Sequence, residues 1–206
     1  MTNILDTGIR NARNVHQYTI GNGAIHDLSK LLEGRRATRQ PVVYFIDEFF
    51  QDDIHFQTKL KVQSEDKLFF ISTKDEPTTE YIDSQVTNLR KHGIIVPSAI
   101  IGIGGGTTMD VAKAVSNLMT NGGKAEDYQG WDLVKQPGIY KIAIPTLSGT
   151  GAEATRTCVM TNKQSGLKLG MNSDYTVFDQ IIMDPELTKT VPKNQYFHTG
   201  MDAYIH

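Results

Sequence analysis

The sequence predicts an α/β protein built on a doubly wound parallel sheet. Strand-like and helix-like stretches alternate over most of its 206 residues, which is the order of a parallel sheet with helices on both faces. The run Val42–Ile46 is apolar throughout, as expected of a strand buried on both sides. A second apolar run leads into Gly104-Gly105-Gly106 and then a helical pattern, which indicates a tight strand-to-helix junction.

The elements follow from the spacing of apolar residues and from Gly and Pro. The predicted strands are Val15–Ile20, Val42–Ile46, Lys67–Ser72, Ala99–Ile103 and Ile139–Ile144, then the shorter Arg156–Met160, Gly166–Leu169 and Gln180–Met183. The predicted helices are Ala24–Leu32, a polar stretch ending near Val62, Thr78–His92, Thr107–Met119 and Pro192–His206. Thr107 or Thr108 is the expected N-cap of the fourth helix.

The domain organisation is predicted from the prolines near 184–192. We expect a dinucleotide-binding domain over 1–190 and the first helix of a helical domain over 191–206. The last helical pattern stops at Ile205-His206 without a capping signal, so we expect the chain to be a fragment that lacks most of the second domain.

Composition excludes several classes of partner. Lys and Arg total 21 and Asp and Glu total 23, a balance that predicts no nucleic-acid or membrane partner. Cys158 is the single cysteine and excludes an internal disulfide. Met1–Arg13 has no apolar signal core, and no run approaches the roughly 18 apolar residues that span a bilayer. A cytoplasmic location is therefore expected.

The glycine run carries the strongest chemical signal. Gly104-Gly105-Gly106-Thr107 joins a buried strand to a helix N-terminus, where free N–H groups and the helix dipole favour an anion such as phosphate. The sequence has neither a Walker Gly-Lys-Ser/Thr nor the usual G-x-G-x-x-G spacing. The alternative is a tight turn that binds nothing.

Asp47 directly follows the buried strand Val42–Ile46. Ligands of doubly wound sheets lie at the carboxyl ends of strands, and a carboxylate there can bind a ribose diol and repel a 2′-phosphate. Asp47 therefore predicts NAD in preference to NADP. The alternatives are a helix N-cap role for Asp47 and a ribose-binding role for its neighbour Glu48.

Two further segments carry polar groups that could bind a cofactor or a metal ion. Pro145–Thr155 is a Gly/Thr/Ser-rich loop after a strand, suited to a diphosphate or a carboxamide, or simply a polar loop. Asp202 and His206 lie four residues apart on the last predicted helix, a spacing that places them on one face. They could be two metal ligands, or alternatively a solvated ion pair.

Together these segments resemble the iron-containing alcohol dehydrogenase family, which shares its fold with dehydroquinate synthase and glycerol dehydrogenase. The family pattern Gly-Gly-Gly-Ser-x-x-Asp-x-x-Lys corresponds to Gly104–Lys113. The loop pattern Pro-Thr-Thr-x-Gly-Thr-Gly-x-Glu-x-Thr corresponds to Pro145–Thr155, and the metal pattern Gly-x-Asp-Ala-x-x-His corresponds to Gly200–His206.

The resemblance implies a role for each matched residue. Asp47 would hold the adenosine ribose, Asp110 would lie near the nicotinamide, and Asp202 and His206 would be two of four ligands to Fe²⁺ or Zn²⁺. The other implied cofactor contacts are Gly104, Gly105, Gly106 and Thr107 at the diphosphate, Thr146 and Ser148 between diphosphate and nicotinamide, Thr155, Lys168, and Leu187 near the adenosine.

The resemblance also implies an activity, a homodimer and a subgroup. A primary alcohol of a small polyol or sugar acid would give a hydride to NAD or NADP with the metal as Lewis acid. Gly122–Trp131 and Arg156–Met160 look most like the 3-deoxy-D-manno-octulosonate 8-oxidase group, and Arg156 could pair with a sugar-acid carboxylate. The family's other two ligands, histidines of the following domain, are absent from this chain. The alternatives are a non-catalytic NAD-binding fragment and a metal-dependent lyase of the dehydroquinate synthase type.

Overall fold

The computed structural model describes residues 13–36 and 40–205. Its strands are β1 (Gln17–Ile20), β2 (Val42–Asp47), β3 (Lys67–Ile71), β4 (Ala99–Gly104), β5 (Gly130–Trp131), β6 (Lys141–Pro145), β7 (Thr157–Asn162), β8 (Leu167–Asn172) and β9 (Gln180–Met183). Its α-helices are α1 (Leu28–Arg36), α2 (Ile54–Lys59), α3 (Thr79–Lys91), α4 (Gly106–Asn121) and α5 (Lys193–Ile205).

A parallel sheet with the strand order β1-β9-β6-β4-β2-β3 forms the centre of the fold. Helices α1 and α2 pack on one face of this sheet, and α3 and α4 pack on the other. The predicted doubly wound α/β architecture is therefore confirmed.

Strand β2 shows why the apolar runs fold this way. Its side chains alternate between the two hydrophobic cores, with Val43 and Phe45 in one and Tyr44 and Ile46 in the other. Each of these four side chains is fully buried. Burial of one such apolar side chain contributes roughly 1.5–3 kcal/mol, so a polar residue in this run would be costly on either face.

The chain reverses its direction of travel across the sheet at β2. It runs outward from β2 to β3 and then returns to place β4 on the other side of β2. The helices that follow β2 and β4 lie on opposite faces. The loops leaving these two strands therefore diverge and open a crevice at their carboxyl ends, which is where doubly wound proteins bind ligands.

A small second sheet covers the outer side of α4. Strands β7 and β8 form an antiparallel hairpin, and the two-residue strand β5 pairs with β8 in parallel. Sequence patterns predicted β7 and β8 with slightly different bounds and did not predict β5.

An ion pair ties the end of α1 to Asp66, the residue before β3. The Arg36 guanidinium donates to both carboxylate oxygens of Asp66, at 3.0 and 2.7 Å. The same carboxylate accepts the Val42 and Gln63 N–H groups at 3.0 and 2.9 Å. Asp66 is fully buried, so its charge depends on these partners.

Candidate functional site

The glycine turn between β4 and α4 is one residue long. β4 ends at Gly104 and α4 begins at Gly106, with Gly105 as its N-cap. The prediction that Thr107 or Thr108 caps this helix was wrong, because the helix begins before either threonine and its cap residue has no side chain. The first N–H groups of a helix have no intrahelical acceptor, so those of Gly106 and Thr107 are available to an anion at the crevice.

Two physical features favour glycine at the turn. Gly104 has φ +153°, a backbone conformation that residues with side chains avoid. Side chains of the facing loop crowd the next two glycines, since a Cβ on Gly105 would lie 3.2 Å from Leu147 Cδ2 and one on Gly106 would lie 3.1 Å from Thr150 Oγ1. The turn therefore presents bare backbone to the crevice.

Asp47 lies beside this turn at the carboxyl end of β2. A Cβ built on Gly104 would be 3.0 Å from the Asp47 Cβ, so the two strand ends are in close contact. The Asp47 carboxylate accepts the Phe49 N–H at 3.0 Å and caps a short 3-10 helix, Glu48–Phe50. Burial raises the pKa of Asp47, and the Phe49 hydrogen bond opposes that rise.

A cavity of about 520 Å³ opens over the turn. Six of the residues predicted to bind the cofactor line it: Asp47, Gly105, Gly106, Thr107, Thr146 and Leu187. Gly104 and Ser148 are outside this lining. Residues not anticipated from the sequence include Phe49, Thr73 and Thr199. Thr73 follows β3, so the strand-end rule that selected Asp47 would also have selected it.

A second cavity, of about 480 Å³, lies on the other side of the first turn of α4. The predicted residues Asp110, Thr155, Lys168 and Asp202 line it together. Gly106, Thr107 and Thr150 line both cavities. Of the predicted site residues that the structure describes, all except Gly104 and Ser148 line one or both of these cavities.

The second cavity contains charges of both signs. Burial raises the pKa of Asp110 to about 6, while the Lys113 ammonium and a hydrogen bond from Val159 N–H act against the rise. At the cavity wall the exposed Lys168 ammonium pairs with the Glu76 carboxylate. No local pattern in the sequence pointed to Glu76, which precedes Lys168 by 92 residues.

Arg156 does not serve as the anticipated partner of a substrate carboxylate. Its guanidinium donates to Asp132 Oδ1 at 2.5 Å and to Asp174 Oδ1 at 3.1 Å. Neither cavity has Arg156 in its lining. In this structure Arg156 instead links β7 to two loops of the small sheet.

Helix α5 borders both cavities, with Thr199 at the first and Asp202 at the second. Its other predicted metal ligand, His206, lies outside the described residues. Within residues 13–36 and 40–205, no three His, Cys, Asp or Glu side chains are grouped so that they could hold a metal ion. The described part of the chain therefore contributes one of the predicted ligands, Asp202.

Comparisons with known proteins are consistent with this geometry. The family model described as iron-containing alcohol dehydrogenase matches residues 16–185. Sulfoacetaldehyde reductase of Bilophila wadsworthia (strain 3_1_6) is 39% identical over 131 residues, which are 64% of this chain and 33% of that protein. NAD-dependent methanol dehydrogenase of Bacillus methanolicus is 28% identical over 190 residues, 91% of this chain and 49% of that protein.

Solved structures match the same fold. Sulfoacetaldehyde reductase from Bifidobacterium kashiwanohense in complex with NAD⁺ superposes with a TM-score of 0.80 at 27% identity, over 94% of this chain and 51% of that one. A 1,3-propanediol oxidoreductase superposes equally well, with a TM-score of 0.80, at 21% identity, over 94% of this chain and 50% of that one.

The matches cover about half or less of each relative's length. These relatives are named as dehydrogenases and reductases of several alcohols and aldehydes, and the sugar-acid oxidase subgroup remains a prediction. Within residues 13–36 and 40–205, no helix combines the length and apolarity needed to cross a bilayer. The family match over residues 16–185, together with the glycine turn and its two cavities, shows that this chain belongs to the iron-containing alcohol dehydrogenase family.

Proposed function

We propose that the whole protein interconverts a primary alcohol and its aldehyde, with NAD(H) as hydride carrier and a divalent metal, Fe²⁺ or Zn²⁺, at Asp202. The observation that carries this proposal is the pair of adjoining cavities, one lined by Asp47 and the other by Asp202. A dinucleotide is long enough to require both a ribose site and a phosphate site in one cleft. The first cavity contains both: Asp47 for the ribose, and Gly105, Gly106 and Thr107 for the phosphates.

Two features of the first cavity support a bound dinucleotide. The glycine turn offers N–H groups where a side chain would otherwise crowd the loop at Leu147, and N–H groups at a helix N-terminus bind phosphate well. The half-buried Asp47 carboxylate is placed to accept hydrogen bonds from a ribose diol. When bound, the nicotinamide supplies the hydride chemistry.

Asp202 fits the metal only as one ligand of a larger set. The metal's chemistry is that of a Lewis acid at the substrate oxygen, and a carboxylate ligand suits both Fe²⁺ and Zn²⁺ without choosing between them. The remaining ligands would be His206 and histidines that the described residues do not include. A homodimer in a cytoplasmic setting is part of the proposal and rests on the family resemblance.

The proposed substrate carries its own negative charge. Sulfoacetaldehyde, which names two of the relatives, is a sulfonate, and the sugar acid suggested by the sequence is a carboxylate. Arg156 lines neither cavity, so the cation that favours such a substrate is Lys168, which lines the second cavity and would exchange its Glu76 partner for the substrate anion.

A direct assay tests the proposal. The whole protein, purified without metal, is loaded with Fe²⁺ or Zn²⁺ and titrated with NADH and NADPH by fluorescence. Aldehyde reduction is then followed by NADH absorbance with sulfoacetaldehyde, short neutral aldehydes and the aldehyde of an eight-carbon sugar acid. We expect NADH binding with metal-dependent turnover.

Two outcomes would contradict the proposed function. Tight NADH binding without turnover of any alcohol or aldehyde, with either metal, would favour a non-catalytic nucleotide-binding protein. Elimination of phosphate from a sugar-acid phosphate, without net oxidation of the substrate, would favour a lyase of the dehydroquinate synthase type.

A further inference from the structure

Lys113 is a fully buried lysine whose ammonium group is bound entirely by protein acceptors. Its Nζ donates to the carbonyl oxygens of Ala152, Thr155 and Thr157 at 2.5, 2.8 and 2.9 Å. It also lies 3.1 Å from Thr155 Oγ1. A buried ammonium is costly unless it is hydrogen-bonded, so these acceptors are what allow Lys113 to remain inside the protein.

The residues that accept hydrogen bonds from Lys113 form part of the wall of the second cavity. Ala152, Thr155 and Thr157 all line that cavity, and Lys113 itself is behind them. Without the ammonium, three carbonyl oxygens at the cavity wall would lose a hydrogen-bond donor. Loss of a buried hydrogen bond is unfavourable, so the segment would be held less firmly in place.

Asp110, whose charge is opposite to that of Lys113, also binds the segment that forms this wall. It lies one helical turn before Lys113 on α4, and its carboxylate accepts the Val159 N–H at 3.2 Å. Residues 152–159 are thus attached to α4 through both carbonyl and N–H groups. Since α4 begins at the glycine turn, one rigid helix connects the predicted phosphate site with the wall of the second cavity.

Thr155 has its hydroxyl engaged in this attachment. Its Oγ1 contacts Lys113 Nζ and also lies 3.2 Å from the carbonyl oxygens of Ala152 and Thr157. The family resemblance implied that Thr155 contacts the cofactor. In the structure the hydroxyl group is hydrogen-bonded within the protein. Thr155 would therefore contribute to ligand binding by shaping the cavity wall.

We propose that Lys113 is a positioning residue that fixes the 152–157 wall of the second cavity, and with it the placement of the reacting groups. The kinetic part of this inference rests on the proposed function. Lys113 contacts no ligand in this scheme. It acts through the carbonyl groups it binds, and a displacement of about 1 Å at a catalytic centre lowers kcat by about 100-fold.

Lys141 supplies a matched control. It is also a buried lysine, at 3% exposure, and burial lowers the pKa of both lysines to about 8. Lys141 lies on β6 and lines neither cavity. Lys113→Met and Lys141→Met therefore remove the same buried charge, one behind the cavity wall and one away from it.

The test compares both variants of the whole protein by amide hydrogen exchange and by steady-state kinetics. We expect Lys113→Met to accelerate exchange in residues 152–157 by about tenfold or more and to lower kcat by about 100-fold, with little change in KM for NADH. Lys141→Met should leave exchange at 152–157 and kcat near wild type. Should Lys113→Met fail to fold, Thr155→Val removes one acceptor and should change both quantities in the same direction, by less.

Two results would overturn the inference. Unchanged exchange at 152–157 in Lys113→Met would show that the lysine does not hold the wall. Faster exchange with kcat and KM equal to those of Lys141→Met would reduce Lys113 to a structural role. A wild-type protein without NADH-dependent turnover would instead refute the proposed function, and the exchange data would still decide whether Lys113 fixes the wall.

Discussion

Replacing Gly104 by alanine should be among the most destabilising single changes at the candidate site. The added Cβ would lie 2.7 Å from Thr108 Oγ1 and 3.0 Å from both Thr108 Cβ and Asp47 Cβ. The residue would also have to keep φ at +153°. Both the backbone and the surroundings therefore oppose any side chain at this position.

The size of the effect follows from these two contributions. A residue held in a conformation open only to glycine costs about 1–3 kcal/mol, and an extra methyl group in a packed site costs about 1–3 kcal/mol. We expect Gly104→Ala to lower the free energy of unfolding by about 2–6 kcal/mol. Relief of the contact by movement of Asp47 should also weaken NADH binding.

Gly166 provides the control, because it separates conformation from crowding. It has φ +72° and open space around its missing side chain, so Gly166→Ala should cost only the conformational part, about 1–2 kcal/mol. Urea denaturation of the three proteins measures the difference through the transition midpoint. Equal losses for both variants, or a Gly104→Ala protein with wild-type stability and NADH affinity, would refute the reasoning.

Three other changes test separate parts of the structure. Arg36→Met leaves the buried Asp66 carboxylate without its cation and should cost about 3 kcal/mol in urea unfolding. Burial acts to raise the pKa of Asp66, but the hydrogen bonds from Arg36 and the backbone prevail and lower it. The resulting stability is present above the unfolded carboxyl pKa of about 3.9 and is lost as pH falls through the lowered pKa. Acid unfolding of Arg36→Met should therefore begin at higher pH than in wild type, and an unchanged acid midpoint would contradict this. Asp47→Gly should shift cofactor preference toward NADPH in fluorescence titrations, because the carboxylate that repels a 2′-phosphate is gone, and an unchanged NADH/NADPH ratio would remove Asp47 from that role. Asp202→Ala should reduce metal bound per protein about 10-fold or more in metal analysis while NADH affinity stays near wild type, and full metal retention would exclude Asp202 as a ligand.

The local sequence was sufficient to predict the elements whose run of apolar residues is unbroken. Val42–Ile46 and Ala99–Ile103 are apolar at every position except Gly102, as expected of strands covered on both faces. The strand β5, with just Gly130 and Trp131, has no comparable signal. It exists because β8 offers it hydrogen bonds, which depends on the tertiary fold.

The candidate site was predictable where its residues follow strands. Asp47 and the glycines stand directly after β2 and β4, so the strand-end rule finds them. Lys113 could not be assigned a role this way, since a lysine in a helix is ordinarily exposed. Its acceptors lie 39 to 44 residues later in the chain, and only the packing of β7 on α4 brings them to it.

The residues shared by the two cavities have a practical consequence for mutagenesis. Gly106, Thr107 and Thr150 line both cavities. Under the proposed function, a change at any of them should therefore alter affinity for the dinucleotide and selectivity for the organic substrate together. Changing one property with the least effect on the other therefore has to begin at residues that line a single cavity, such as Thr73 in the first and Lys168 in the second.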